Sequence, residues 1–166
     1  MIVGVDFDGC VVDDSHPYSD TETPLRFIPG AREGLASLKR AGHVLLLYSA
    51  RANRALREDP NLDPLVRAGI RHVSRDAWLR ARPIHEARFI QMLEFVYTEI
   101  PDVFDAIDDG LQGKPCVDLF IDDRAFRYGK GTLAAGWRTI AQLYGEPVYG
   151  EPQPARTPSG VEAPSA

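Results

Sequence analysis

Near the start of the chain, Asp6-Phe7-Asp8-Gly9 closes the apolar run Met1-Ile2-Val3-Gly4-Val5. The β-branched, apolar character of that run is that of a buried strand, so both carboxylates fall where a strand gives way to a loop. Ligand sites of open α/β sheets lie at that edge. Residues i and i+2 of a continuing strand share a face, which lets Asp6 and Asp8 converge on one small volume, and Gly9 lets the backbone turn sharply behind them. Two carboxylates held that close repel unless one is protonated or a cation lies between them. A hard divalent ion with oxygen ligands, such as Mg2+, answers that repulsion. An Asp-Gly pair is also a common turn, so the tetrad gains its force from its place behind a strand and from its partners later in the chain.

The elements that would hold these residues alternate between strand and helix. Pro29-Gly30 opens a helix over Ala31 to Ala41, with Leu35 and Leu38 on its apolar side, Lys39-Arg40 in its last turn and Gly42 as its stop. His43 to Tyr48 is a nearly continuous apolar run, the pattern of a parallel strand covered on both faces. Strand, helix and strand form a right-handed βαβ unit. A longer helix is expected from Pro83 to Ile100, its apolar face built by Ile84, Phe89, Ile90, Leu93, Phe95, Val96 and Ile100. Val103 to Ile107 and Val117 to Ile121 read as further strands, and Thr132 to Leu143 as a closing helix. The fold class is α/β, a three-layer α/β/α sandwich around a mostly parallel, Rossmann-like sheet.

Composition bounds the function. The 166 residues carry a net charge of −5, which argues against an extended nucleic-acid surface. No uninterrupted apolar stretch approaches membrane-spanning length, and no basic segment leads a signal-like apolar run at the N-terminus, so a cytoplasmic protein without a membrane partner is expected. Cys10 and Cys116 lack CxxC or Cys/His metal spacing and read as reduced core or near-core thiols. Residues 1–145 make one domain, and 146–166, rich in Pro, Gly, Ser, Ala and Glu, read as a flexible tail.

Three downstream segments join the tetrad: Ser49 in Leu47-Tyr48-Ser49-Ala50-Arg51, Lys114-Pro115, and Ile121-Asp122-Asp123-Arg124-Ala125. In this order they resemble the four motifs of the haloacid-dehalogenase-like (HAD) hydrolases, and the run from Lys114 to Ala125 resembles the small capless phosphatases of that superfamily. The resemblance covers about residues 1–54 and 103–140. It implies that Asp6 attacks phosphorus and forms an aspartyl-phosphate, while Asp8 protonates the leaving alcohol and later takes a proton from water. It further implies that Gly9, Ser49, Ala50 and Lys114 hold the phosphoryl group, with Ser49 and Lys114 counted in the catalytic set. Asp6, Asp8 through its backbone carbonyl, Asp122 and Asp123 would bind Mg2+, with Asp123 favoured as a direct ligand and Asp122 direct or through water. Each piece alone has a plainer reading: Ser49 as an N-cap, Lys114 as a solvated loop residue.

The resemblance implies a Mg2+-dependent phosphomonoesterase acting on a small phosphorylated metabolite. Two alternatives stand beside it: a nucleotide or polynucleotide-end phosphatase, and a non-catalytic phosphate-binding module on the same scaffold. The stretch from Gly9 to Pro29 is too short for a cap domain but long enough for a flap, over about residues 10–28. An open capless site is compatible with a homo-oligomer that covers it. The segment of about residues 57–88 reads as an insertion or extended crossover. Between Arg51 and Arg88 nine arginines face five carboxylates, a pattern read as a solvated helical face in preference to a basic lid.

Overall fold

Parallel pairing organises the chain. In the computed structural model, which describes residues 1–122 and 133–146, β1 (Ile2–Asp6) lies between β2 (Val44–Tyr48) and β4 (Leu119–Ile121), and β3 (Ala106–Ile107) flanks β2. All pairings are parallel. The fold is therefore α/β, with a four-stranded parallel sheet in the order β3-β2-β1-β4, compatible with a Rossmann-like arrangement. Val3, Val5, Leu45 and Leu47 are wholly buried, as continuous apolar strand sequences require. The parallel arrangement brings every strand's C-terminal end to one edge. Val5 pairs with both Leu47 and Ile121, so Asp6 and Asp122 leave neighbouring strands at the same level.

Helix α1 (Ala31–Arg40) starts after Pro29-Gly30 as expected and buries Ala31, Gly34, Leu35 and Leu38. It packs on α5 (Leu133–Tyr144) at a close approach only glycine permits: a Cβ at Gly34 would lie 2.5 Å from Trp137 Cε3. Trp137 is buried, and its Nε1 donates to the Cys10 carbonyl at 2.7 Å, tying this helix to the loop behind β1. Cys10 belongs to the core, whereas Cys116 is exposed, so the core reading fails for Cys116.

Three expected boundaries move, the least being β4, which starts at Leu119 instead of Val117. The long helix α4 spans Arg75–Glu99, beginning well before Pro83. Ser74 caps it through the Ala77 N–H, and Pro83 sits on an exposed face, where the lost backbone hydrogen bond is tolerated. Its buried stripe is Arg88, Met92 and Val96, and Ile90 is exposed instead of facing the core. Strand β3 is only two residues long: the chain is still turning at Asp102, whose φ is 60°, and meets β2 from Asp105, whose N–H donates to the Leu45 carbonyl at 2.9 Å. Between β2 and α4 run a 3-10 turn over Ala50–Ala52, α2 (Arg54–Arg57), a second 3-10 turn over Pro60–Leu62, and α3 (Pro64–Arg67). Among the described residues no helix is long and apolar enough to cross a membrane. The expected tail lies, from residue 147 onward, outside the described residues.

Candidate active site

The strand ends open into a cleft of about 820 Å³. Asp6, Asp8, Ser49, Ala50, Lys114 and Asp122 line it, so residues distant in sequence meet at the edge where the alternation of β1 and the parallel register lead. Gly9 is not among the lining residues. Its φ is 74°, and its N–H donates to the Val12 carbonyl at 2.9 Å, so it serves the turn behind β1. Asp123 lies outside the described residues.

Alternation continues past the strand: Phe7 is buried while Asp6 and Asp8 are partly open to the cleft. Phe7 packs edge-on against Phe95, anchoring the tetrad from below. Asp6 Oδ1 accepts the Phe7 N–H at 2.7 Å, which fixes the carboxylate against its own backbone. Ser49 follows β2 and accepts the Arg51 N–H at 3.2 Å, so it does cap the 3-10 turn. Its hydroxyl retains a proton to donate into the cleft. Lys114 Nζ lies 3.9 Å from the Phe120 ring centroid and 3.7 Å from Asp122 Oδ2, a cation held at the end of β4.

Asp8 is held by two guanidinium groups. Arg51 Nε donates to Oδ1 at 3.0 Å and to Oδ2 at 2.9 Å, and Arg51 Nη2 donates to Oδ1 at 2.6 Å. Arg88 Nη2 adds a bond to Oδ1 at 3.2 Å. Both arginines are buried, at 3% and 6% exposure. Burial and the neighbouring Arg51 charge push Arg88 below the ordinary arginine range. The solvated reading of the Arg-rich segment thus holds for Arg67, Arg71, Arg75, Arg80 and Arg82, which are exposed, and fails for Arg51, Arg57 and Arg88. Arg57 stacks over Phe89 at 3.6 Å and joins α2 to α4.

The loop from β1 to α1 is closed at its base by antiparallel contacts, Asp13 N–H to Arg26 O and Ile28 N–H to Val11 O, both at 3.0 Å. Its tip is held by Asp20, which accepts the Glu22 and Thr23 N–H groups and the Thr23 hydroxyl, and these bonds lower its pKa to about 2. From this loop His16 and Tyr18 reach the cleft, and from the segment after α2 so do Asp63, Pro64, Leu65 and Arg71.

A metal's fit can be judged from charge. Burial and then the carboxylates of Asp108, Asp6 and Asp122 hold the Tyr48 phenol above its ordinary range, so negative potential converges at the strand ends. Mg2+ uses one or two carboxylates completed by water and phosphate oxygens, and Asp6 with Asp122 offers that donor set. Asp8, by contrast, spends its side chain on guanidinium groups. Among the described residues no group of three or more His, Cys, Asp or Glu side chains forms a ligand cluster.

Arg51 and Arg88 are the site residues the sequence reading missed. Arg51 lies two positions beyond Ser49, at the same sheet edge. Arg88 falls on the i, i+4, i+8 stripe with Met92 and Val96, and a charge on an otherwise apolar stripe is the signal that could have found it. No family model, curated protein or solved structure matches this chain.

Proposed function

We propose that the protein is a cytoplasmic Mg2+-dependent phosphomonoesterase of HAD type, acting through an aspartyl-phosphate on Asp6 within a three-layer, capless scaffold. One observation carries the reading: Asp6, Asp8, Ser49, Lys114 and Asp122 line a single cleft at the C-terminal edge of the sheet. A cluster of carboxylates with one hydroxyl and one ammonium suits phosphoryl transfer, in which positioning and charge compensation dominate.

In this scheme an Asp6 oxygen attacks phosphorus as the bond to the leaving oxygen breaks, and Asp8 delivers the proton that the leaving alkoxide takes. Asp8 then removes a proton from water, whose oxygen attacks phosphorus, breaking the bond to Asp6 and freeing inorganic phosphate. Ser49 and Lys114 meet the phosphoryl oxygens. Asp6 and Asp122, with Asp123 and the Asp8 carbonyl in the family pattern, would hold Mg2+, which when bound offsets charge on the transferring group.

Purified protein incubated with nucleotides, sugar phosphates and phosphorylated amino acids should release phosphate only when Mg2+ is present. No release from any of them would count against the reading.

A further inference from the structure

The phosphatase reading leaves one arginine of the cleft without a task. Arg88 is committed to Asp8, and Lys114 stands beside Asp122. Arg71 lines the same cleft from the segment that follows α3 instead of from a strand end. Of the five exposed arginines between residues 64 and 85, it alone reaches the cleft.

Its place is built from the backbone outward. Gly69, with a φ of 70°, ends α3, and its N–H donates to the Val66 carbonyl at 3.0 Å. The Ile70 and Arg71 N–H groups then both donate to the Leu65 carbonyl, at 2.9 and 3.0 Å. Asp63 caps the start of α3 through Oδ1, which accepts the Leu65 N–H at 2.8 Å, and its Oδ2 accepts Arg71 Nη1 at 2.7 Å. Both Asp63 oxygens are thus engaged. The Arg71 side chain is 55% exposed, and among the described residues Asp63 is the one partner of its guanidinium. So exposed a pair adds little to stability, and backbone bonds already close the turn. What the tether does is hold the side chain in one orientation, which lowers the ordering cost of binding a ligand. The Nε and Nη2 donors then form the edge that meets a carboxylate or phosphate through two parallel bonds.

We propose that Arg71 is a specificity-determining residue that selects phosphomonoesters carrying a second anionic group, a phosphate or a carboxylate, which its guanidinium grips while the first phosphoryl group lies at Asp6. The inference rests on the phosphatase reading and names the substrate class of that site. Such a contact, remote from the reacting phosphorus, raises kcat/KM for the doubly anionic ester without touching the chemical step.

Matched pairs of esters isolate the second anion. The full chain and its Arg71→Met and Arg71→Lys variants are assayed with Mg2+ on β-glycerophosphate against 2-phosphoglycerate, glucose 6-phosphate against glucose 1,6-bisphosphate, and adenosine 5′-phosphate against adenosine 3′,5′-bisphosphate. In at least one pair the native chain should favour the doubly anionic member by about 10-fold or more in kcat/KM, and the pair that does so tells carboxylate from phosphate. Arg71→Met should lower that preference about 10- to 100-fold, through KM, as loss of a charge-assisted bond predicts. Arg71→Lys, which keeps the charge and loses the fork, should fall between the two and keeps the test open if the methionine variant folds poorly. A native chain with no preference in any pair, or a preference that survives Arg71→Met, overturns the inference and leaves the phosphatase reading in place. Release of phosphate from none of the six esters overturns the phosphatase reading, and this inference with it.

Discussion

At the N-terminal edge of the sheet, Asp118 accepts the Ile2 N–H at 2.7 Å, and Asp105 accepts the Leu45 N–H at 2.8 Å while meeting Lys39 Nζ at 2.5 Å. At the opposite edge Asp6, Asp8 and Asp122 face a cleft. The residue type is the same, and its surroundings assign the work. Asp118 and Asp105 satisfy backbone donors and a neighbouring lysine, which is structural service. The carboxylates at the C-terminal edge gather in one place, with guanidinium and ammonium groups around them.

Substitution at each edge should break the comparison in a different way. The largest effect is expected at Asp6: Asp6→Asn should lower phosphate release on the order of 10⁴-fold or more while the melting temperature stays near that of the native chain. Kinetics and thermal unfolding on the same sample check both halves. Asp118→Ala should do the reverse, costing about 1 kcal/mol in urea unfolding for the lost charge-assisted bond to Ile2 and leaving turnover unchanged. A loss of turnover in that variant would show that the two edges are not separable.

The smallest effect sharpens the contrast through pH. The bonds from Lys39 and the Leu45 N–H hold Asp105 below the ordinary carboxylate value of 3.8. Its stabilising contribution is therefore complete above that value and lost as pH falls through the lowered one. Urea midpoints measured from pH 5 downward should fall less steeply for Asp105→Asn than for the native chain. Parallel slopes would mean that this pair adds nothing to acid stability.

Much of the scaffold was legible because buried parallel strands leave an unambiguous mark. The runs ending at Asp6 and Tyr48 became β1 and β2 with little change, and Pro29-Gly30 opened α1. Where local signals competed, the reading slipped. Pro83 looked like a helix start, yet Ser74 caps α4 a full two turns earlier and the proline is carried on an exposed face. The acidic motifs were readable because strand-end carboxylates are few and ordered. Arg51 and Arg88 were passed over, since arginine usually signals solvent; the stripe shared with Met92 and Val96 marks Arg88 as buried, but the meeting of α4, the β1–α1 loop and Asp8 is tertiary.

The central claim, that Asp6 is the group that takes the phosphoryl from substrate, has a direct test. Protein turning over p-nitrophenyl phosphate with Mg2+ is quenched in acid, where an acyl phosphate persists, digested, and the peptide spanning residues 1–26 is examined by mass spectrometry. A phosphoryl group on Asp6 in the native chain, absent from Asp6→Asn, is the result expected. Turnover with the phosphoryl group on another residue, or undiminished turnover in Asp6→Asn, would contradict it.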